Sequence, residues 1–386
     1  MADTDNLSHK KRGPEEGDSC PAKQPRLSAD ANASGGSPVG TSKADAHRSP
    51  DGPGSSSSGV ALFTPLTAAY SEDKGCRSTM EDVCVLQLDA RREPSAACRL
   101  AHFGIFDGHG GLSCASFAAQ HLHARVLEAG LLRKGLQGGK ADAKACKASI
   151  AEGFKTTDEA LLKECASKNW QDGACAVAVW VLQDLVCVAN VGDAKCVLAR
   201  MPDKPSSSNP VASSAAQPQP PQTSPAAAAA GASVPAPASK PKAIVLTKEH
   251  TALLERQRIE KAGGSVVNGR LAGRIQIARS FGDAAFKKLG CSSTPDVTAF
   301  PLTRRDSFLL LGCDGFWGVF GAQEAVDTAA ALLGEGQAVK AVTNRLLNIA
   351  VREKRCKDNC SVLLVRFGGS EGAGGAAGGA GAGAGS

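Results

Sequence analysis

Three aspartates stand where apolar runs end or begin. His102-Phe103-Gly104-Ile105-Phe106 leads into Asp107-Gly108-His109, Phe308-Leu309-Leu310-Leu311-Gly312-Cys313 leads into Asp314-Gly315, and Asp358-Asn359 opens the run 360–367. A carboxylate at the rim of a hydrophobic core is costly unless it is neutralised, and a hard divalent cation is the commonest agent that neutralises several at once. Oxygen-only ligands point to Mg2+ or Mn2+. A single Asp-Gly dipeptide is an ordinary turn, as Asp51-Gly52 and Asp172-Gly173 illustrate elsewhere in the chain. The set goes further, because Met80-Glu81-Asp82 precedes another apolar run and Gly108-His109-Gly110-Gly111 follows Asp107. His109 reads either as a turn histidine or as a group whose flanking glycines admit a metal or a substrate. By themselves these residues support a hard-metal site of unspecified chemistry.

The elements that must hold them follow from short apolar runs and helical spacing. Strands are expected at 83–88, 100–106, 174–182, 185–190, 196–199, 243–246, 307–312 and 361–367, each bounded by Gly, Asp, Asn or low-complexity sequence. Three- and four-residue steps of apolar side chains predict helices at 112–132, 142–165, 322–333 and 337–352. Helices therefore come in adjacent pairs and strands in clusters. That order argues for a layered α/β protein with mostly antiparallel neighbours rather than regular βαβ alternation. No GxGxxG follows a first strand, which disfavours a dinucleotide-binding fold.

Composition limits the folded part. Of 386 residues, 43 are glycine and Tyr70 is the only tyrosine, a bias that belongs to tails. Residues 1–59 read as a disordered N-terminal tail, 60–368 as one folded domain, 202–241 as a low-complexity insertion between two strands of that domain, and 369–386 as a disordered Gly/Ala tail. The basic cluster Lys10-Lys11-Arg12 with Lys23 and Arg26 reads equally as a bipartite nuclear import signal or as a solvated tail. No aromatics interleave these charges, so nucleic acid is not an expected partner. The fourteen cysteines are scattered, several lie inside apolar runs, and the opening residues lack the apolar core of a signal peptide. Reduced thiols in a cytoplasmic and/or nuclear protein are expected. No run approaches the ~20 apolar residues of a membrane-spanning helix, so no membrane partner is expected.

Taken in order, the motifs resemble the metal-dependent protein serine/threonine phosphatases of the type 2C family. The resemblance rests on Arg77-Ser78-Thr79-Met80-Glu81-Asp82, Phe106-Asp107-Gly108-His109-Gly110-Gly111, Asn190-Val191-Gly192-Asp193, Leu246-Thr247-Lys248-Glu249-His250, Gly263-Gly264, Ala278-Arg279-Ser280-Phe281-Gly282-Asp283, Cys313-Asp314-Gly315-Phe316-Trp317 and Asp358-Asn359. Within the family, residues 255–269 with Val319-Phe320 and Glu324-Ala325-Val326 look most like the integrin-linked kinase-associated branch.

The resemblance implies a central antiparallel β-sandwich flanked by pairs of helices, and hydrolysis of phosphoserine and phosphothreonine in protein substrates. It implies two Mg2+ or Mn2+ ions, bridged by Asp107, with the Gly108 carbonyl on one ion and Asp314 and Asp358 on the other. Glu81 and Asp82 would act through coordinated water. Two such ions, roughly 3.5–4 Å apart, activate a water for in-line attack without a phosphoenzyme. Arg77 would grip phosphate, and His109 would protonate the departing oxygen. A monomeric catalytic domain is expected.

The chain also departs from the pattern. Gly173-Ala174-Cys175-Ala176 replaces Gly-Ser-Thr-Ala, Gly192-Asp193-Ala194-Lys195 replaces Gly-Asp-Ser-Arg, and Gly318 stands where many relatives carry an acid. The last change puts a third ion in doubt, with Asp172 still a candidate for one of its ligands. Asp193 and Asp283 read as turn residues outside the site. Three rivals stay open at this point: an inactive phosphatase-like binding module, a two-metal nuclease, and a passenger domain between functional tails.

Overall fold

Side chains alternate along the strand Leu100–His109, and that alternation sets the layering. Ala101, Phe103 and Ile105 join one apolar cluster while Leu100 and Phe106 join another, as the two-residue period of a pleated strand requires when both faces are covered. In this computed structural model, which describes residues 64–92, 98–203 and 240–368, the strand lies inside an antiparallel sheet. Its order is Asp82–Gln87, Leu100–His109, Gly173–Leu182, Leu185–Val191, Asp296–Pro301, and the two-residue strand Phe281–Gly282 also pairs with the start of Gly173–Leu182.

A second antiparallel sheet has the order Leu66–Asp73, Cys360–Phe367, Asp306–Gly312, Lys195–Arg200, Lys242–Val245. Phe103, Ile105 and Val179 of the first sheet share a core with Leu309, Leu311 and Leu363 of the second. Helices Ser113–Glu128 and Ala143–Lys168 cover the first sheet through Leu122, Ile150 and Phe154, which cluster with Phe106 and Trp180. Helices Ala322–Gly334 and Val339–Asn348 cover the second through Val326, Val342 and Leu346. The layers run helix, sheet, sheet, helix, the sandwich that the sequence implies.

Details differ where local chemistry decides. The predicted helix 112–132 is two, Ser113–Glu128 and Leu131–Gly135, because Gly130 takes φ 106° between them, a conformation that costs glycine little. The next helix starts on the Asp142 carboxylate, which accepts from the Lys144 amide at 2.8 Å, an N-cap of ordinary kind. The last helix ends at Asn348 and continues as a wider turn, Ile349–Glu353. Among the strands longer than two residues, Leu66–Asp73 and Asp296–Pro301 were not expected. Both are sheet edges, and most of their residues are half-buried. The insertion leaves from Lys195–Arg200 and returns as Lys242–Val245, and these strands pair directly, Ala199 opposite Ala243. The expectations for residues 1–59, 204–239 and 369–386 lie outside the described residues.

Candidate metal centre

Both sheets deliver acids to one end of the sandwich. The Leu100–His109 strand carries Asp107 close to its end, directly opposite Asp82 on the neighbouring strand. From the second sheet, Asp306–Gly312 runs through Cys313 into Asp314, the first residue of a one-turn helix. Carboxylate oxygens of Asp107, Asp193 and Asp314 lie within 4.8 Å of one another, and oxygens of Asp82 and Asp107 lie equally close to the Cys313 sulfur. Asp107 is common to both groups. The Cys313 sulfur is already engaged, accepting from the Ser361 amide at 3.1 Å and facing the Asn359 carbonyl at 3.4 Å.

The electrostatics are those of an uncompensated acid cluster. Burial, with the charges of Asp82, Asp314 and Asp193, holds Asp107 well above the carboxylate range. Asp314, although its side chain reaches solvent, is pushed up to about 6 by desolvation among its neighbours and by Asp193, Asp358 and Asp82. Asp82 is raised by burial although Ser361 Oγ donates to its Oδ2 at 2.7 Å. Its other oxygen, Oδ1, is buried without a hydrogen-bond partner. Native proteins rarely leave such an acceptor unsatisfied. An orphaned oxygen among crowded carboxylates fits a hard divalent ion.

Asp193, read from the sequence as a turn residue, belongs to this cluster. It sits in the crossing from the first sheet to the second, between Leu185–Val191 and Lys195–Arg200. His250 holds that crossing: its amide donates to Gly192 O at 3.0 Å, and Gly192 N donates back to its Nδ1 at 3.2 Å. The signal was present in Asn190-Val191-Gly192-Asp193, which repeats the apolar-run-then-aspartate pattern of the other acids.

Asp358 stands apart from the tight group. Its Oδ2 pairs with Arg77 Nη2 at 2.6 Å and its Oδ1 accepts from the Asn359 amide at 2.8 Å. Glu81 lies at the rim, where its carboxylate accepts from Thr79 Oγ1 at 3.0 Å and from the Gly111 amide at 3.2 Å. Its carbonyl accepts from the Gly108 amide at 3.2 Å. Gly108 must be small, since a Cβ there would lie 2.4 Å from that carbonyl oxygen.

His109 is paired through Nε2 with Asp283 Oδ2 at 2.9 Å, so Asp283, also read as a turn residue, is part of the site's surroundings. Burial opposes charging the imidazole, but the Asp283 hydrogen bond and charge, with Asp193 and Asp172, outweigh it and raise the His109 pKa. Asp172, weighed as ligand of a third ion, commits Oδ2 to the Cys114 amide at 2.7 Å. Gly318 closes the short helix and brings no acid.

The family model for protein phosphatase 2C matches residues 68–206 and 238–360. The chain belongs to that family. The break in the match falls inside the low-complexity insertion. A probable protein phosphatase 2C of Oryza sativa is 48% identical over 81% of this chain and 78% of its own length. The integrin-linked kinase-associated serine/threonine phosphatase 2C of Bos taurus is 34% identical over 78% of this chain and 77% of its own. Among solved structures, a serine-threonine phosphatase 2C from Toxoplasma gondii superposes with TM-score 0.61 at 21% identity, over 79% of this chain and 98% of that one. A C. elegans sex determining protein superposes with TM-score 0.60 at 20% identity, this chain spanning 65% of it. These two likenesses bear on the fold. As a type 2C member the protein is a metal-dependent serine/threonine phosphatase, a hydrolase acting on phosphorylated proteins.

Proposed function

We propose that this phosphatase releases phosphate from phosphoserine and phosphothreonine by direct attack of water, using two Mg2+ or Mn2+ ions. Asp107, the Gly108 carbonyl, Asp314 and Asp358 would hold them, with Glu81 and Asp82 acting through water and Asp193 completing the acidic lining. Divalent ions held by these residues would supply an activated, coordinated water as nucleophile at neutral pH. The observation that carries this reading is the meeting of Asp107, Asp193 and Asp314 within 4.8 Å, beside the orphaned Asp82 Oδ1.

The chain's own residues supply the rest. The Arg77 side chain is 61% exposed and its planar guanidinium suits two phosphate oxygens. In this state it is paired with Asp358, so phosphate would take over that bond. His109 would give a proton to the departing seryl or threonyl oxygen. We place the enzyme in the cytoplasm and/or nucleus as a monomeric catalytic domain. No helix among the described residues is long and apolar enough to cross a membrane.

Purified protein with Mn2+ should hydrolyse a phosphothreonine peptide and lose that activity in EDTA. Asp314→Asn should lower the rate by about 100-fold or more, the scale expected when electrostatic stabilisation at a reacting centre is lost. Equal activity of Asp314→Asn and the parent would refute the proposal. DNA and RNA assayed alongside should not be cleaved.

A further inference from the structure

Asp283 touches His109 and has so far no task in the reaction. Its place comes from three strands. Gly173, at the start of Gly173–Leu182, faces His109 across one ladder and Gly282 across the other. Because residue 173 has no side chain, His109 and Asp283 meet over it. A Cβ there would lie 2.4 Å from Asp283 Oδ2 and 2.5 Å from His109 Nε2.

The pair is asymmetric. The Asp283 side chain is 2% exposed and that of His109 35%, so the ring reaches the open side of the site while the carboxylate stays behind it. Ser280 Oγ donates to the same Oδ2 at 2.5 Å, and the Asp283 amide donates to Asp172 O at 3.0 Å. The backbone of Asp283 is left-handed, φ 49° and ψ 44°, which costs a non-glycine residue energy that the surroundings must supply. This much fixing of one carboxylate behind one imidazole is what a positioning group needs.

We infer that Asp283 is a positioning residue that holds the His109 ring in place with its hydrogen on Nε2, so that Nδ1 is the nitrogen presented to the departing oxygen. The inference rests on the reading of His109 as general acid. In that step the P–O electron pair goes to the seryl or threonyl oxygen as the bond breaks. The Nδ1–H bond breaks with it, and the proton completes the alcohol. The proton of the attacking water leaves to solvent, from which His109 is recharged.

The test uses the full chain with Mn2+ and two substrates that differ in their need for an acid: a phosphothreonine peptide, whose alkoxide must be protonated, and p-nitrophenyl phosphate, whose phenolate departs unaided. Asp283→Ala should lower kcat on the peptide by about 100-fold, with KM little changed and the loss on the aryl phosphate at least about ten times smaller. Asp283→Asn, which suits the left-handed backbone and keeps the side-chain shape, should show the same selectivity in smaller degree. Equal losses on both substrates, or no loss on either, would overturn the inference. His109→Ala run in parallel separates the two claims. If it is selective and the Asp283 variants are not, only the positioning role falls; if it is not selective either, the acid role falls and takes this inference with it.

Discussion

Asp82 and Asp107 stand directly opposite each other on neighbouring antiparallel strands, two acids at a cross-strand position where like charges repel. Neither has a cationic partner among the described ion pairs, and Asp82 Oδ1 is buried without a hydrogen-bond partner. The fold therefore holds an arrangement that it does not stabilise by itself. Bound metal should supply the missing energy. Mn2+ at 100 times its dissociation constant should stabilise the protein by about 2.7 kcal/mol, which for a domain of this size is a rise in Tm of roughly 5–10 °C. Thermal melts with and without EDTA measure it, and coincident melts would contradict it.

The same crowding gives the metal-free protein a pH dependence of unusual sign. Asp314 is raised from its ordinary 3.8 to about 6 in the folded state, so the folded protein binds a proton more tightly than the unfolded chain. That contribution to stability is complete below the unfolded value and is lost as pH rises through about 6, and Asp107, raised further, extends the loss upward. Urea melts in EDTA should have a lower midpoint at pH 7 than at pH 5. With Mn2+ the trend should reverse, because the metal binds the deprotonated acids.

Asp107 and Asp314 are legible in the sequence because each follows an apolar run that predicts its strand, and strand ends are where such a core opens. Asp193 carries the same mark, but a Gly-Asp turn explains itself locally. Only the crossing between sheets brings it to the others. Asp283 is harder still: its relation to His109 depends on two ladders meeting at Gly173, which no spacing within the chain reports. The edge strands Leu66–Asp73 and Asp296–Pro301 escape notice because half-buried residues blur the alternation that marks a strand. Gly130 ends a helix that apolar periodicity alone carries through it.

Asp193 should show opposite effects on stability and function. Its charge helps raise both Asp107 and Asp314, so Asp193→Asn relieves repulsion in the metal-free protein and should raise its Tm in EDTA. The same change weakens the acidic lining, and the Mn2+ concentration for half-maximal activity should rise by about 10–100-fold, the scale seen when groups supporting a metal site are removed. Metal titrations of activity and melts in EDTA check the two arms separately. A lower Tm in EDTA would mean that Asp193 is a structural turn residue after all.

Asn359 ties the Arg77 loop to the acid-bearing strand. Its Oδ1 accepts from the Glu81 amide at 2.8 Å, and its Nδ2 donates to Lys74 O at 3.0 Å and Thr79 O at 2.9 Å. The residue is 7% exposed, so water cannot readily replace these bonds. Asn359→Ala removes one hydrogen bond from each of three backbone groups, of which Lys74 O keeps the Arg77 amide at 3.2 Å, and should cost about 2–4 kcal/mol, using ~1 kcal/mol or somewhat more for each bond lost. Because the freed loop carries Arg77, KM for a phosphothreonine peptide should rise as well. Asn359→Asp should be nearly as damaging, since a carboxylate can accept from Glu81 but cannot donate to the two carbonyls and adds another charge beside Asp358. Urea denaturation and steady-state kinetics on both variants test this. A stable Asn359→Asp protein with unchanged KM would show that the loop is held by other contacts.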